Sequence, residues 1–393
     1  MRTARSRLAA LLLALALPTT AAAQCGGSWQ SFLFGIKAEA RGMGLSAAAT
    51  DRFLQGARQD PAVLKADAAQ SIFQKPFVDF ARQLISAGRI NNGAANYKKY
   101  KSTFTRIQRD YGVSPGILLA FWAFETDYGV VQGNVNTRNA LLTLAHDCRR
   151  PDLFRPQVFA AIELTQRGDI NPATTTGAWA GEIGMVQFLP TEIIRSGTDG
   201  DGDGHVRLQT SAPDALTSAG RALSRLGWQA NQPWMTEVTV PSNLDWAASG
   251  LNHTASVSAW SKAGVKARSG KLPSGSLKAS LLLPMGRNGP AFLVYPNFNV
   301  LFEWNKSFVY VTTAAYFATR LEGAPVFNAG NPSPALSGQQ MIALQKKLTA
   351  RGHDVGGIDG ILGEMTREAV QSEQVRLGLP ADAWPTTDLL NRL

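Results

Sequence analysis

The sequence is poor in cysteine and histidine, with two of the first and four of the second among 393 residues. No two histidines fall at metal-ligand spacing, and no glycine-rich loop is built to cradle phosphate, so metal-dependent hydrolysis and nucleotide binding find no support. Past Leu17 there is no apolar run long enough to cross a bilayer. Acidic residues are also short, 29 Asp+Glu against 39 Lys+Arg, a formal charge of +10 that suits an anionic polymer such as the cell wall or nucleic acid. With 45% hydrophobic residues the chain has no signature of disorder, and its length allows a sizeable core and more than one domain.

The first 23 residues read as a secretory signal peptide. Arg2, Arg5 and Arg7 make a basic head, Leu8 to Leu17 a short apolar run, and Ala21-Ala22-Ala23 a small-residue cleavage site that leaves Gln24 first. Lipid anchoring at Cys25 is disfavoured, because a lipoprotein signal needs a small residue before the cysteine and Gln24 is not one. The expectation is an exported, periplasmic protein, and export argues against nucleic acid as the partner. In an oxidising compartment the single pair Cys25 and Cys148 suggests a disulfide, with two buried free thiols as the alternative.

One stretch carries chemistry. From Ser114 to Gly129 the residues predict a helix with Ser114 as N-cap and Pro115 in its first turn. Ile117 to Phe124 is apolar on every face, so the helix is expected to be buried all round. Glu125 interrupts it in the last turn, before a stop at Gly129. Burial and the negative end of the helix dipole would both raise the pKa of a carboxylic acid there, which is what a general acid needs.

The run Phe124-Glu125-Thr126-Asp127-Tyr128-Gly129, followed by Ala140-Leu141-Leu142-Thr143-Leu144-Ala145 and Asp147-Cys148-Arg149-Arg150, resembles the catalytic region of the lytic murein transglycosylases of the MltB type, glycoside hydrolase family 103. The resemblance implies that Glu125 is the catalytic acid. Gly177 to Pro190 is similar to the family's Gly-Ser-Trp-Ala-Gly stretch with its downstream Gln-Phe and Pro, which implies that Gln187 and Phe188 line the sugar cleft. Ala178 stands where the family has a serine that hydrogen-bonds near the catalytic carboxyl. Glycines 177, 181 and 184 suggest close backbone approach to a ligand or a neighbouring helix. Glu182 reads as a surface or structural residue, and no second carboxylate opposite Glu125 is identified. Trp304-Asn305-Lys306-Ser307-Phe308-Val309-Tyr310 matches the family's Asn-x-Ser with aromatic residues after it, which implies that Asn305 and Tyr310 face the substrate. His146 and Asp147 are adjacent, do not face each other on a helix, and read as structural.

Asp199-Gly200-Asp201-Gly202-Asp203-Gly204-His205 puts hard oxygen ligands at alternate positions with a glycine for the sharp turn, as in an EF-hand loop, although Thr210 stands where the closing Glu belongs. The resemblance implies a lengthened loop with Asp199, Asp201, Asp203 and Asp214 as side-chain ligands and His205 through its carbonyl. The ion would be a structural calcium, and the chemistry would need no cofactor. Helices are expected over residues 140–145, 156–167 and 214–226, with a small β-containing piece over 228–280. Past a Pro/Ala/Asn/Ser-rich linker, Leu344-Gln345, Gly352, Asp359-Gly360, Gly363 and Thr366-Arg367 resemble the small helical peptidoglycan-binding module, with Glu373-Gln374 where that family has Phe-Gln.

The expected fold is therefore mainly α (α+β): a lysozyme-like catalytic domain over residues 24–322 with a small β insertion, a linker over 323–338, and a tethered peptidoglycan-binding domain over 339–393. The implied reaction cleaves the β-1,4 bond between N-acetylmuramic acid and N-acetylglucosamine of peptidoglycan, leaving 1,6-anhydro-muramic ends. A hydrolytic muramidase and a catalytically weakened wall-binding protein are the alternatives.

Overall fold

The computed structural model describes residues 27–68, 75–147 and 149–393, so the leader and the expected Cys25–Cys148 bridge lie outside the described residues. Among the described residues there are seventeen α-helices and seven short strands, which makes the chain mainly α. None of these helices is long and apolar enough to cross a membrane.

The helical part is built around Pro115–Thr126, nine of whose twelve residues are buried. Ser114 caps it by accepting from the Gly116 N–H at 3.1 Å, and Pro115 occupies its first turn, as the residue types predict. Its main neighbour is the helix Phe308–Leu321, which shares one core with it through Phe121, Phe124, Ala314 and Phe317. At their crossing sits Gly116, where an added Cβ would come within 2.8 Å of the Ala318 carbonyl oxygen. Each large side chain buried here stabilises the fold by roughly 1.5–3 kcal/mol.

Two element boundaries differ from the sequence reading for identifiable reasons. The helix expected from Pro156 starts at Pro151 and runs to Arg167 with Pro156 inside it. Pro151 takes the first turn, and the hydrogen bond lost at Pro156 is offset by burial of Phe154, Val158, Phe159 and Ile162. The β piece extends beyond 280: an antiparallel five-stranded sheet runs in the order Ala255–Ser256, Lys278–Leu282, Ala291–Val294, Met235–Thr239, Lys266–Ala267. Ala291–Val294 is its middle strand and is buried on both faces. Phe292 and Val294 join the main helical core, while Ala291 and Leu293 face a second core with Val238, Leu281 and Tyr295. A strand packed on both sides reads as a continuous apolar run, so alternation is missing from its sequence.

Residues 322–337 hold no helix or strand, yet they lie on the protein. Phe327 is buried against Phe77 and Tyr316, with ring centroids 5.4 and 4.8 Å away. Beyond them, helices Gly338–Ala350, Glu364–Arg376 and Thr387–Arg392 enclose a small core of Met341, Leu344, Leu348, Val370 and Leu389. The expected tether is in fact a docked unit. Arg367 lies 4.2 Å over the Phe308 ring and donates to the Pro284 carbonyl at 2.7 Å. Gln371 donates to the Ser249 carbonyl at 3.0 Å, and Asp382 pairs with Arg287 at 3.0 Å. Burial of a guanidinium beside carbonyls and rings brings the Arg367 pKa down to about 10.

Candidate active site

The helix Pro115–Thr126 ends by presenting Glu125. Its chain direction then breaks through three consecutive residues with positive φ, Asp127 (50°), Tyr128 (61°) and Gly129 (89°), so the stop falls two residues earlier than glycine alone predicts. Two non-glycine residues in the left-handed region are strained. The strain is held by neighbours: Arg89 pairs with Asp127 at 3.0 Å, and the Tyr128 hydroxyl donates to the Arg89 carbonyl at 2.7 Å. Thr126 ties the same corner to the glycine-rich segment, donating to the Met185 carbonyl at 2.7 Å.

Glu125 keeps part of its surface open to solvent while its carboxyl lies deep among protein atoms. Two donors converge on one oxygen, Oε1: the Tyr310 hydroxyl at 2.6 Å and the Trp304 indole N–H at 3.0 Å. Both are held by rings, with Trp304 stacked on Phe121 at 4.3 Å and Tyr310 edge-on to Phe124 at 5.8 Å. Desolvation pushes the Glu125 pKa up; the bonds from Tyr310 and Trp304 pull against that, and the charge of Glu182 adds to the rise. Tyr310, buried beside that carboxyl, has its own pKa raised well above the usual phenol range, so it stays a donor.

The other residues singled out from the sequence fall around this centre. Phe188 is buried with its ring 5.2 Å from Trp304, in contact with the acid's partner rather than with the acid. Gln187 has a positive φ of 52° and spends its amide on backbone, donating to the Gly184 carbonyl at 2.8 Å and to the Gln132 carbonyl at 3.3 Å. Asn305 accepts from the Ser307 N–H at 2.9 Å, just ahead of the helix that carries Tyr310. Trp304 stands in the sequence only as a member of the motif around Asn305, yet its indole is one of the two donors to Glu125. The signal for it was the aromatic cluster ending at Tyr310.

Of its two readings, surface or structural, Glu182 does not take the first. Its Oε2 is buried without a hydrogen-bond partner, and burial followed by opposing backbone hydrogen bonds sets a raised pKa. Its segment is tightly folded, since an added Cβ on Gly177 would sit 1.8 Å from the Glu182 carbonyl oxygen. The glycines thus answer to protein neighbours: at Gly181 a Cβ would meet Leu141 at 2.4 Å. His146 is structural, packed edge-on to Trp29 and Phe32 with its ring nitrogens bonded to Gln59 and the Gly27 carbonyl.

In the aspartate loop, carboxylate oxygens of Asp199, Asp201 and Asp203 lie within 4.8 Å of one another and are exposed, a donor set that fits a hard cation. Hydrogen bonds from the Gly204 and Gly202 N–H groups lower the Asp199 pKa, keeping it ionised. Asp214 does not join the three. It is fully buried, and its two oxygens accept from the Gly200 and Arg207 N–H groups at 2.8 and 2.7 Å, so it braces the loop from below. The His205 ring pairs with Asp169 at 3.2 Å.

With this geometry in view, comparisons with known proteins are informative. The model of a family described as transglycosylase SLT domain matches residues 28–319, and that of a peptidoglycan binding domain matches residues 337–393. The chain is 27% identical over 233 residues to the membrane-bound lytic murein transglycosylase B of Escherichia coli K12, covering 58% of this chain and 62% of that relative's length. The crystal structure of SltB3 from Pseudomonas aeruginosa in complex with NAG-anhNAM-pentapeptide is similar at 35% identity and a TM-score of 0.84, covering 93% of this chain and 99% of that one. The Escherichia coli lytic transglycosylase Slt35 in complex with calcium shares the fold, with a TM-score of 0.62 at 22% identity over 74% of this chain and 92% of that one.

Proposed function

The chain belongs to the SLT transglycosylase family, and from that membership we propose that it is a lytic transglycosylase that cuts the β-1,4 bond between N-acetylmuramic acid and N-acetylglucosamine and leaves a 1,6-anhydro-muramic end. The observation that carries this reading is the Glu125 carboxyl, desolvated and gripped through one oxygen by Tyr310 and Trp304.

With both donors on Oε1, the acid proton belongs on Oε2, which is left to meet the glycosidic oxygen. Proton transfer releases the N-acetylglucosamine side, and positive charge builds at the muramic anomeric carbon. Glu125 is now a carboxylate whose charge is stabilised by the two hydrogen bonds already in place. It takes the proton from the muramic C6 hydroxyl, and that oxygen closes on the anomeric carbon. No water is consumed, so the two-carboxylate arrangement of ordinary glycosidases is unnecessary, and the attacking hydroxyl gains from its high effective molarity.

The test is mass spectrometry of purified peptidoglycan digested by the protein. Muramic ends lighter by one water are the expected result. Glu182 gives the hydrolytic alternative a specific footing, because it is a second carboxylate whose charge reaches Glu125; reducing ends in the digest would establish that alternative.

Peptidoglycan as substrate agrees with the basic charge and with the match of residues 337–393 to a wall-binding family. A periplasmic location follows from the leader and the substrate together. The aspartate loop is read as a structural calcium site in which Asp199, Asp201 and Asp203 hold the ion. Calcium at about a hundred times its Kd would then stabilise the protein by ~2.7 kcal/mol, a rise of about 3 °C in Tm, while chelation lowers Tm and leaves the chemistry intact. A melting temperature indifferent to calcium and chelator would remove the ion from this reading.

A further inference from the structure

A cavity of about 590 Å³ lies between the C-terminal helical unit and the catalytic helices. One wall is the glycine-rich turn before the helix Glu364–Arg376, and the other is the first turn of the helix Phe308–Leu321 with Lys306 and Ser307 just ahead of it. Tyr310, which holds Glu125, stands on that same first turn. The cavity and the acid's partner are thus separated by no more than one helical turn, about 5 Å along the axis.

The lining has a definite chemistry. Arg367 is buried there with its Nε unpartnered, its other nitrogens spent on the Leu283 and Pro284 carbonyls. No described carboxylate makes a salt bridge with it. Buried N–H groups in folded proteins are nearly always satisfied, so this one calls for an acceptor. Lys75 and Lys306 line the same space, and Phe308 and Trp384 give it apolar walls. Glu364 adds a buried, unpartnered carboxylate oxygen that can take an ammonium. A ligand with several carboxylates, an amino group and short aliphatic side chains matches this set, and the volume suits a few residues of peptide.

We propose that this cavity receives the acidic stem peptide carried by the muramic residue bound at Glu125, making the C-terminal unit part of the substrate site. The proposal rests on the peptidoglycan reading above. It accounts for the docking of the unit: a loosely tethered module could not hold Arg367 at a fixed place beside the cleft.

Gly357 lines the cavity, has no positive φ, and an added Cβ there meets nothing closer than 3.4 Å. Gly357→Trp therefore fills the space without straining the chain, with Gly357→Ala as its control. The wild-type protein is expected to cleave stem-bearing glycan with a kcat/KM about tenfold above that for glycan stripped of peptide by an amidase, and Gly357→Trp to erase that advantage through KM while cleavage of stripped glycan and Tm stay unchanged. Equal preference for the two substrates in the wild type, or a parallel loss on both in the variant, would overturn the proposal. Calorimetric titration with soluble NAG-anhNAM-pentapeptide reads the cavity even if no glycan is cut, the result that would count against the functional reading instead. Binding that weakens about tenfold or more in Gly357→Trp supports the stem site, and no binding or equal binding refutes it.

Discussion

Glu125→Gln is expected to lower glycan cleavage by about 10³-fold or more, at the upper part of what a positioned acid–base group supplies, while binding to intact peptidoglycan is retained. Glutamine keeps the shape and the acceptor that Tyr310 and Trp304 address, so the aromatic box closes round it as before. What is lost is the proton. The same substitution is expected to stabilise the protein, and the sign can be worked out. The folded-state pKa of Glu125 lies above its ordinary value, chiefly through desolvation. Its contribution to stability is therefore complete below the unfolded pKa and is lost as pH rises through the folded pKa. Glutamine does not titrate, so the Tm advantage of the variant should widen as pH rises above the ordinary carboxylate range. Undiminished cleavage by the variant would remove Glu125 from the role of acid; an advantage that narrows over that range would contradict the raised pKa.

Glu125 could be singled out in the sequence because its setting is local: an all-apolar helix with one carboxylate in its last turn exists before any tertiary structure is known. Tyr310 came from a motif, and its position against Glu125 depends on a contact across 185 residues. Trp304 has the same origin and a contact across 179, and nothing in its neighbourhood separates an indole that donates to Glu125 from one that merely packs. Glu182 could be read from the sequence as a surface or a structural residue, and only the fold, which leaves its Oε2 buried without a hydrogen-bond partner, decides against the surface. Asp214 entered the ligand set only through the resemblance; in the fold it is buried and its two carboxylate oxygens accept from the Gly200 and Arg207 N–H groups. The docking of the C-terminal unit was invisible for a further reason: Arg367 belongs to a motif of that unit, while Phe308 and Pro284, which receive it, lie in the catalytic part.

Tyr310→Phe is expected to lower kcat by roughly tenfold to a hundredfold, the worth of a hydrogen bond to a charged group, and to move the pH profile in a direction that identifies its cause. In the reaction proposed here the hydroxyl does little for the protonated acid and much for the carboxylate that follows it. Its bond to Oε1 is one of the two that hold the Glu125 pKa down against desolvation. Removing it leaves desolvation and the charge of Glu182 opposed by Trp304 alone, so the pKa of Glu125 must rise further. Activity requires the protonated acid, and the falling limb on the alkaline side should therefore shift to higher pH as the maximum rate drops. Trp304→Phe should shift the limb the same way, because its indole bonds the same oxygen. A purely structural contribution from Tyr310, through its packing on Phe121 and Phe124, is preserved by phenylalanine and would leave both rate and limb where they were. A limb that moves to lower pH would mean that the tyrosine acts by some route other than stabilising the Glu125 carboxylate.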